Sequence, residues 1–178
     1  MNDTTDLHAG IVAAIRAIPD FPIPGVTFRD ITPLLADGEL FRAVTNKLAG
    51  RFRNAGVTKV AAIESRGFIL GAPVAQALGV GLVPVRKSGK LPHRTHSVEY
   101  ALEYGTATLE AHVDACKSED RVLIVDDVLA TGGTALATCE LVERSGATVA
   151  GLAFLLALEE LPGMKRLAGR ETEILTVF

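Results

Sequence analysis

Asp126 and Asp127 stand side by side at the end of the apolar run Val122 to Val125, and a loop of small residues, Ala130-Thr131-Gly132-Gly133-Thr134, follows. Two adjacent carboxylates repel, so they require a cation, a set of hydroxyl donors or water. The loop runs into a helical pattern. Backbone N–H groups and two threonine hydroxyls can therefore converge at a helix N-terminus, where an anion is favoured by about 0.3 to 1 kcal/mol. Gly132 and Gly133 remove side chains where the backbone must approach the anion's oxygens. The string lacks the closing Gly-Lys-Ser/Thr of a nucleotide triphosphate loop and is not Gly-x-Gly-x-x-Gly. Carboxylates for sugar hydroxyls, one step before a phosphate cradle, fit a phosphorylated ribose. An ordinary strand-to-helix turn capped by one aspartate is the alternative for either residue taken alone.

Three more segments carry chemistry. Glu64-Ser65-Arg66-Gly67 forms a turn between a short apolar strand and a helix. The stretch from Arg86 through Lys87 to Lys90 is basic and includes Ser88-Gly89, which gives it freedom to close. By itself it would read as a solvated loop, but it directly follows a strand end. The Pro-punctuated segment 19–35 carries Phe21, Phe28 and Arg29, and it either covers a ligand or packs onto the body of the domain.

The elements that must position these residues follow from hydrophobic period. Leu7 to Ile18 has helical spacing and ends at Pro19. Residues 40–52 are helical again, with Gly56 as a stop. Strands are predicted at 59–64, 80–85, 121–127, 147–158 and 173–178, with helices at 65–79 and 133–146 and a short helical turn near Met164 to Leu167. Residues 97–113 alternate around Tyr104-Gly105-Thr106 and predict a β-hairpin or ribbon. Strand and helix in alternation predict an α/β fold with an open, mainly parallel twisted sheet flanked by helices, whose ligands bind beyond the carboxyl ends of the strands. Gly67 and Gly71, four apart on a helix, predict close packing there.

The 178 residues suit one domain. Hydrophobic residues at 48% against 22% charged describe a globular chain, and a net charge of −3 supplies no broad attraction to nucleic acid. Cys116 and Cys139 match no metal or redox spacing, and the four histidines form no metal pattern. No signal or membrane span is visible, so a cytoplasmic protein is expected.

The string 122–134 resembles the PRPP motif of the type I phosphoribosyltransferases, enzymes that use 5-phosphoribosyl 1-diphosphate (PRPP). "PDFPIPGVTFRDITPLL", "ESRGFILGAPVA" and "PVRKSGKLP" with "YALEYG" are similar, in order and spacing, to the members of that family that act on adenine. The resemblance spans nearly the whole chain. It implies a single phosphoribosyltransferase domain over 1–178, with an N-terminal hood at about 1–35 and a mobile β-ribbon loop at about 86–105. It also implies conversion of adenine and PRPP to AMP and pyrophosphate, with Mg2+, in a homodimer of purine salvage, with no nucleic acid or membrane partner.

By the same resemblance, Ala130, Thr131, Gly132, Gly133 and Thr134 hold the 5-phosphate, and Asp126 and Asp127 meet the ribose hydroxyls or the Mg2+ shell. No all-protein metal cage is expected, the ion being held by PRPP and water. Ser65 and Arg66 would cradle pyrophosphate across a Glu64–Ser65 peptide expected to be cis, and Arg86, Lys87 and Lys90 would draw off its charge. Glu103 would handle a proton at the base, with Tyr104 beside it. Thr27, Phe28, Arg29 and Leu129 would contact adenine. Enzymes for xanthine, hypoxanthine, guanine or orotate, and a non-catalytic PRPP sensor on the same fold, are the competing expectations.

Overall fold

The computed structural model describes residues 3–101 and 105–178. The chain divides into two compact units, residues 1–47 and 48–178.

The first unit holds α1 (Asp3–Ala14), β1 (Arg16–Ile18), β2 (Phe28–Asp30), α2 (Thr32–Ala36) and the first part of α3 (Gly38–Phe52). The expected first helix stops four residues early, and its last apolar positions form β1 instead. There Arg16, Ala17 and Ile18 pair antiparallel with Asp30, Arg29 and Phe28. Backbone pairing across the returning chain outweighs the helical period of that short stretch. The Pro-rich connection is a built turn. Asp20 adopts a left-handed φ of 57° and its Oδ1 accepts the Gly25 N–H at 2.8 Å. Asp37 Oδ1 accepts the N–H groups of Glu39 and Leu40, each at 3.0 Å, and starts α3.

The second unit is built on a seven-stranded sheet in the order β5-β6-β4-β3-β7-β8-β9. Its strands are β3 (Lys59–Ile63), β4 (Gly81–Lys87), β5 (Thr95–Ala101), β6 (Thr106–His112), β7 (Arg121–Leu129), β8 (Thr148–Ala157) and β9 (Thr172–Val177), with helices α4 (Arg66–Leu78), α5 (Gly133–Arg144) and α6 (Gly163–Arg166). Strands β4, β3, β7, β8 and β9 run parallel, and β5 and β6 form the antiparallel ribbon. Continuous burial along β3, β7 and β8, rather than alternation, is the mark of parallel strands covered on both faces.

Glycines let α4 lie directly on the sheet. A Cβ on Gly71 would fall 2.5 Å from Ala62 Cβ, and one on Gly67 would fall 2.8 Å from Asp126 Oδ1. No helix among the described residues is long and apolar enough to cross a membrane.

The connection from β3 leads to β4 on one side, and the later β7 joins β3 on the other. The crossovers therefore diverge between the carboxyl ends of β3 and β7, the position where open α/β sheets leave a crevice.

Candidate active site

Strand β7 continues to Leu129, so Asp126 and Asp127 lie within its last turns of pairing and not beyond its end. The apolar Val128 and Leu129 extend the ladder against Leu156 and Ala157 of β8. Asp126 Oδ1 accepts the Asp127 N–H at 2.9 Å. Asp127 is 4% exposed, and its Oδ2 lies 2.7 Å from Arg66 Nε as an ion pair. That oxygen makes no aligned hydrogen bond, so charge rather than hydrogen-bond geometry holds it. Burial, reinforced by the charge of Asp127, pushes the Asp126 carboxyl well above its ordinary range. Burial also raises Asp127, and Arg66 opposes the rise.

The Arg66 turn leaves β3 through a cis peptide between Glu64 and Ser65. Ser65 is the N-cap of α4, Arg66 its first residue. Arg66 thus reaches from β3's carboxyl end to β7 across the divergence of the crossovers.

Glu64 organises the basic segment. Its Oε2 and Oε1 accept Nε and Nη2 of Arg86 at 3.2 and 3.3 Å, and Oε2 also accepts the Lys87 N–H at 3.1 Å. Hydrogen bonding from Arg86 holds the Glu64 carboxyl below its usual range. Arg86 Nη1 donates to the Lys90 carbonyl at 3.0 Å, curling the segment back on itself. Glu110 on β6 takes Ser88 Oγ at 2.7 Å and the Gly89 N–H at 3.1 Å. Arg86 and Lys87 are the last residues of β4 rather than parts of a loop. The side chains of Lys87 and Lys90 are exposed.

After β7, Gly132 turns the chain with φ of 80° and is the N-cap of α5 without a side-chain cap. The Gly133 N–H donates to Thr131 Oγ1 at the long distance of 3.5 Å, and Gly132 itself offers no side-chain cap, so the start of α5 is of the kind that favours an anion. A Cβ on Gly133 would fall 3.1 Å from Tyr100 Cδ2 and 3.2 Å from the Ala101 carbonyl, so the ribbon's β5 rests on this loop. From the other side, the Gly163 N–H donates to the Ala130 carbonyl and Arg166 Nη1 to the Thr131 carbonyl, each at 3.0 Å.

The loop residues 130–134, Asp126, Asp127, Ser65, Arg66, Arg86, Lys87 and Lys90 all belong to this second unit, at the carboxyl ends of β3, β4 and β7. Leu129, expected against a base, is 1% exposed and belongs to the hydrophobic core. It ends β7 beneath α6, where a Cβ on Gly163 would come 2.9 Å from its Cγ. Glu103 and Tyr104 lie outside the described residues. In the first unit, Thr27 is exposed, and Phe28 lies half-buried on β2 with its ring edge-on to Phe21 at 5.3 Å. Arg29 lies beside Phe28 on β2.

Glu110, Tyr100, Gly163 and Arg166 went unrecognised in the sequence. Arg166 reaches the loop from far along the chain, and only the basic residue in a short helical turn could have signalled it.

The paired aspartates, the uncapped glycine turn of α5 and the arginine turn after β3 stand together at one sheet edge, the layout of an enzyme that grips a phosphorylated sugar. The phosphoribosyl transferase domain family matches residues 31–170, and the chain belongs to this phosphoribosyltransferase family, with its type I fold. An adenine phosphoribosyltransferase of Acidothermus cellulolyticus is 56% identical over 162 residues, covering 91% of this chain and 92% of its own. The crystal structure of the adenine phosphoribosyltransferase from Rhodothermus marinus superposes with a TM-score of 0.93 at 51% identity, covering 98% of this chain and 99% of that one. An adenine phosphoribosyl transferase from Trypanosoma brucei, solved with AMP, pyrophosphate and ribose-5-phosphate, matches with a TM-score of 0.87 at 26% identity over 96% of this chain and 79% of its own.

Proposed function

We propose that the protein transfers the phosphoribosyl group of PRPP to adenine, forming AMP and releasing pyrophosphate. The observation that carries the proposal is the Arg66–Asp127 ion pair bridging the carboxyl ends of β3 and β7, next to the uncapped start of α5. The similarity to adenine phosphoribosyltransferases over nearly their whole length supports the choice of base.

In the proposed reaction the bond from the anomeric carbon to the pyrophosphate oxygen breaks and its electron pair leaves with pyrophosphate. N9 of adenine supplies the pair for the new bond. The carbon between them carries positive charge, so catalysis rests on placed charges rather than on a protein nucleophile. The N–H groups of residues 130–134 hold the 5-phosphate, and Asp126 and Asp127 accept the ribose hydroxyls. Ser65, Arg66, Arg86, Lys87 and Lys90 face the growing charge on pyrophosphate. Glu64 holds the Arg86 guanidinium for that task. Glu103 takes the N9 proton, with Tyr104 beside it.

The hard oxygens of Asp126 and Asp127 suit Mg2+, and they would meet an ion carried chiefly by PRPP and water, which would supply neutralising charge to the diphosphate. Phe28 stacks on the adenine ring, and the backbone near Thr27 and Arg29 reads its edge. Adenine's exocyclic amine donates where a 6-oxopurine accepts, so a mismatched base leaves polar groups unpaired.

We further propose a cytoplasmic homodimer serving purine salvage. Exposed Ile69 on α4 and Leu82 at the start of β4 offer apolar surface to a second copy, and the free thiols of Cys116 and Cys139 suit a reducing compartment. Incubation with PRPP, Mg2+ and adenine tests the activity: AMP and pyrophosphate should appear in equal amounts. Absence of both would refute it.

A further inference from the structure

The phosphate loop has a second layer beneath it that decides which way its peptides face. In a trans peptide the carbonyl and the following N–H point in opposite directions. The cis bonds of the described chain lie elsewhere, at Phe21–Pro22 and Glu64–Ser65. The Ala130 carbonyl is held by the Gly163 N–H and the Thr131 carbonyl by Arg166 Nη1, each at 3.0 Å. Both carbonyls are therefore turned toward α6, and the N–H groups of Thr131 and Gly132 point away from it.

Contact between α6 and the loop is backbone to backbone. A Cβ on Gly163 would fall 2.3 Å from the Ala130 carbonyl, and one on Gly132 would fall 3.2 Å from Gly163 Cα. Gly132 then reverses the chain and accepts the Leu136 N–H at 3.0 Å, committing its own carbonyl to α5. Three successive carbonyls are thus tied, those of Ala130 and Thr131 to α6 and that of Gly132 into the first turn of α5. A carbonyl left loose could rotate its negative end toward a bound anion, and the Thr131 carbonyl is restrained by a side chain alone.

We propose that Arg166 is a positioning residue for the phosphate site, restraining the Thr131 peptide so that the loop's N–H groups converge on a phosphate monoester. The guanidinium acts through the peptide it holds. This rests on the reading of residues 130–134 as a phosphate cradle. Lysine can donate to the same carbonyl but lacks the planar fork that sets the angle of approach.

Calorimetric titration of the full chain and of its Arg166→Ala and Arg166→Lys variants with ribose 5-phosphate, AMP and adenosine tests the inference. Arg166→Ala should weaken ribose 5-phosphate and AMP by about tenfold, the scale of one hydrogen bond from a charged donor. Adenosine affinity and the thermal midpoint should stay unchanged, and Arg166→Lys should recover part of the loss. In turnover, KM for PRPP should rise while KM for adenine stays fixed. Unchanged affinity for both phosphorylated ligands, or an equal loss for AMP and adenosine, would overturn the positioning role. If the unaltered protein fails to bind ribose 5-phosphate, the phosphate-cradle reading falls with it; if it binds and Arg166→Ala binds equally well, this inference alone falls.

Discussion

Arg66 Nε lies 2.7 Å from Asp127 Oδ2, joining the first residue of α4 to a buried carboxylate on β7. The pair links the turn proposed for pyrophosphate to the strand proposed for ribose, and it offsets a charge that burial alone would disfavour. Arg66→Ala should leave Asp127 buried without its cation. We expect kcat/KM for PRPP to fall by about a hundredfold or more, the scale of a lost charged donor in a protected site. Steady-state kinetics at varied PRPP check this, and kinetics equal to the unaltered enzyme would remove Arg66 from the site.

Asp126 predicts a pH dependence. Its folded-state pKa is raised above the ordinary value of 3.8 by burial and by Asp127. A raised carboxyl contributes stability while protonated: the contribution is full below the unfolded value and is lost as pH climbs through the folded value. Asp126→Asn keeps an oxygen for the Asp127 N–H and removes the titration. Thermal melts without ligand should show the variant gaining on the parent as pH rises from about 4 toward neutrality, by about 2 to 4 °C for each kcal/mol relieved. The same variant should use PRPP poorly. A midpoint difference that does not change with pH would contradict the raised carboxyl.

Gly67 sets how closely α4 approaches the aspartates. A methyl there would meet Asp126 Oδ1 at 2.8 Å and the Val125 carbonyl at 3.0 Å. Gly67→Ala should destabilise the fold by about 1 to 3 kcal/mol and lower kcat/KM for PRPP. Urea denaturation and initial rates measure the two effects. A variant with parental stability and rate would show that the contact is slack.

Both thiols are buried, and burial raises Cys116 above its usual range and Cys139 to about 11. The thiolate is the reactive form. Ellman's reagent at pH 8 should therefore label neither cysteine in the folded protein and both after unfolding in guanidinium. Rapid labelling of the native state would contradict this burial.

The parallel sheet and its loops were legible because apolar runs, glycine turns and short spacings are local signals. Strand β7 outran its expected end because Val128 and Leu129 continue the ladder with β8, a pairing no local pattern reports. The same extension drew Leu129 into the core. Similarly, Arg86 and Lys87 read as the start of a basic, mobile segment after a strand end, and the sequence did not show that Glu64 and Glu110 fasten that segment from β3's end and from β6. Residue types announced the charges; their partners emerge only when distant strands meet. Arg166 illustrates the limit, since its contact is to a backbone carbonyl and leaves no trace in the loop's own sequence.

The choice of base is tested most directly by competition. The protein is given PRPP and Mg2+ with adenine, hypoxanthine, guanine, xanthine and orotate together in equal amounts, and the nucleotides formed are separated and counted. We expect AMP to be the dominant product, matched by pyrophosphate and accompanied by loss of adenine alone. A nucleotide of another base in its place, or no nucleotide at all, would contradict the assignment.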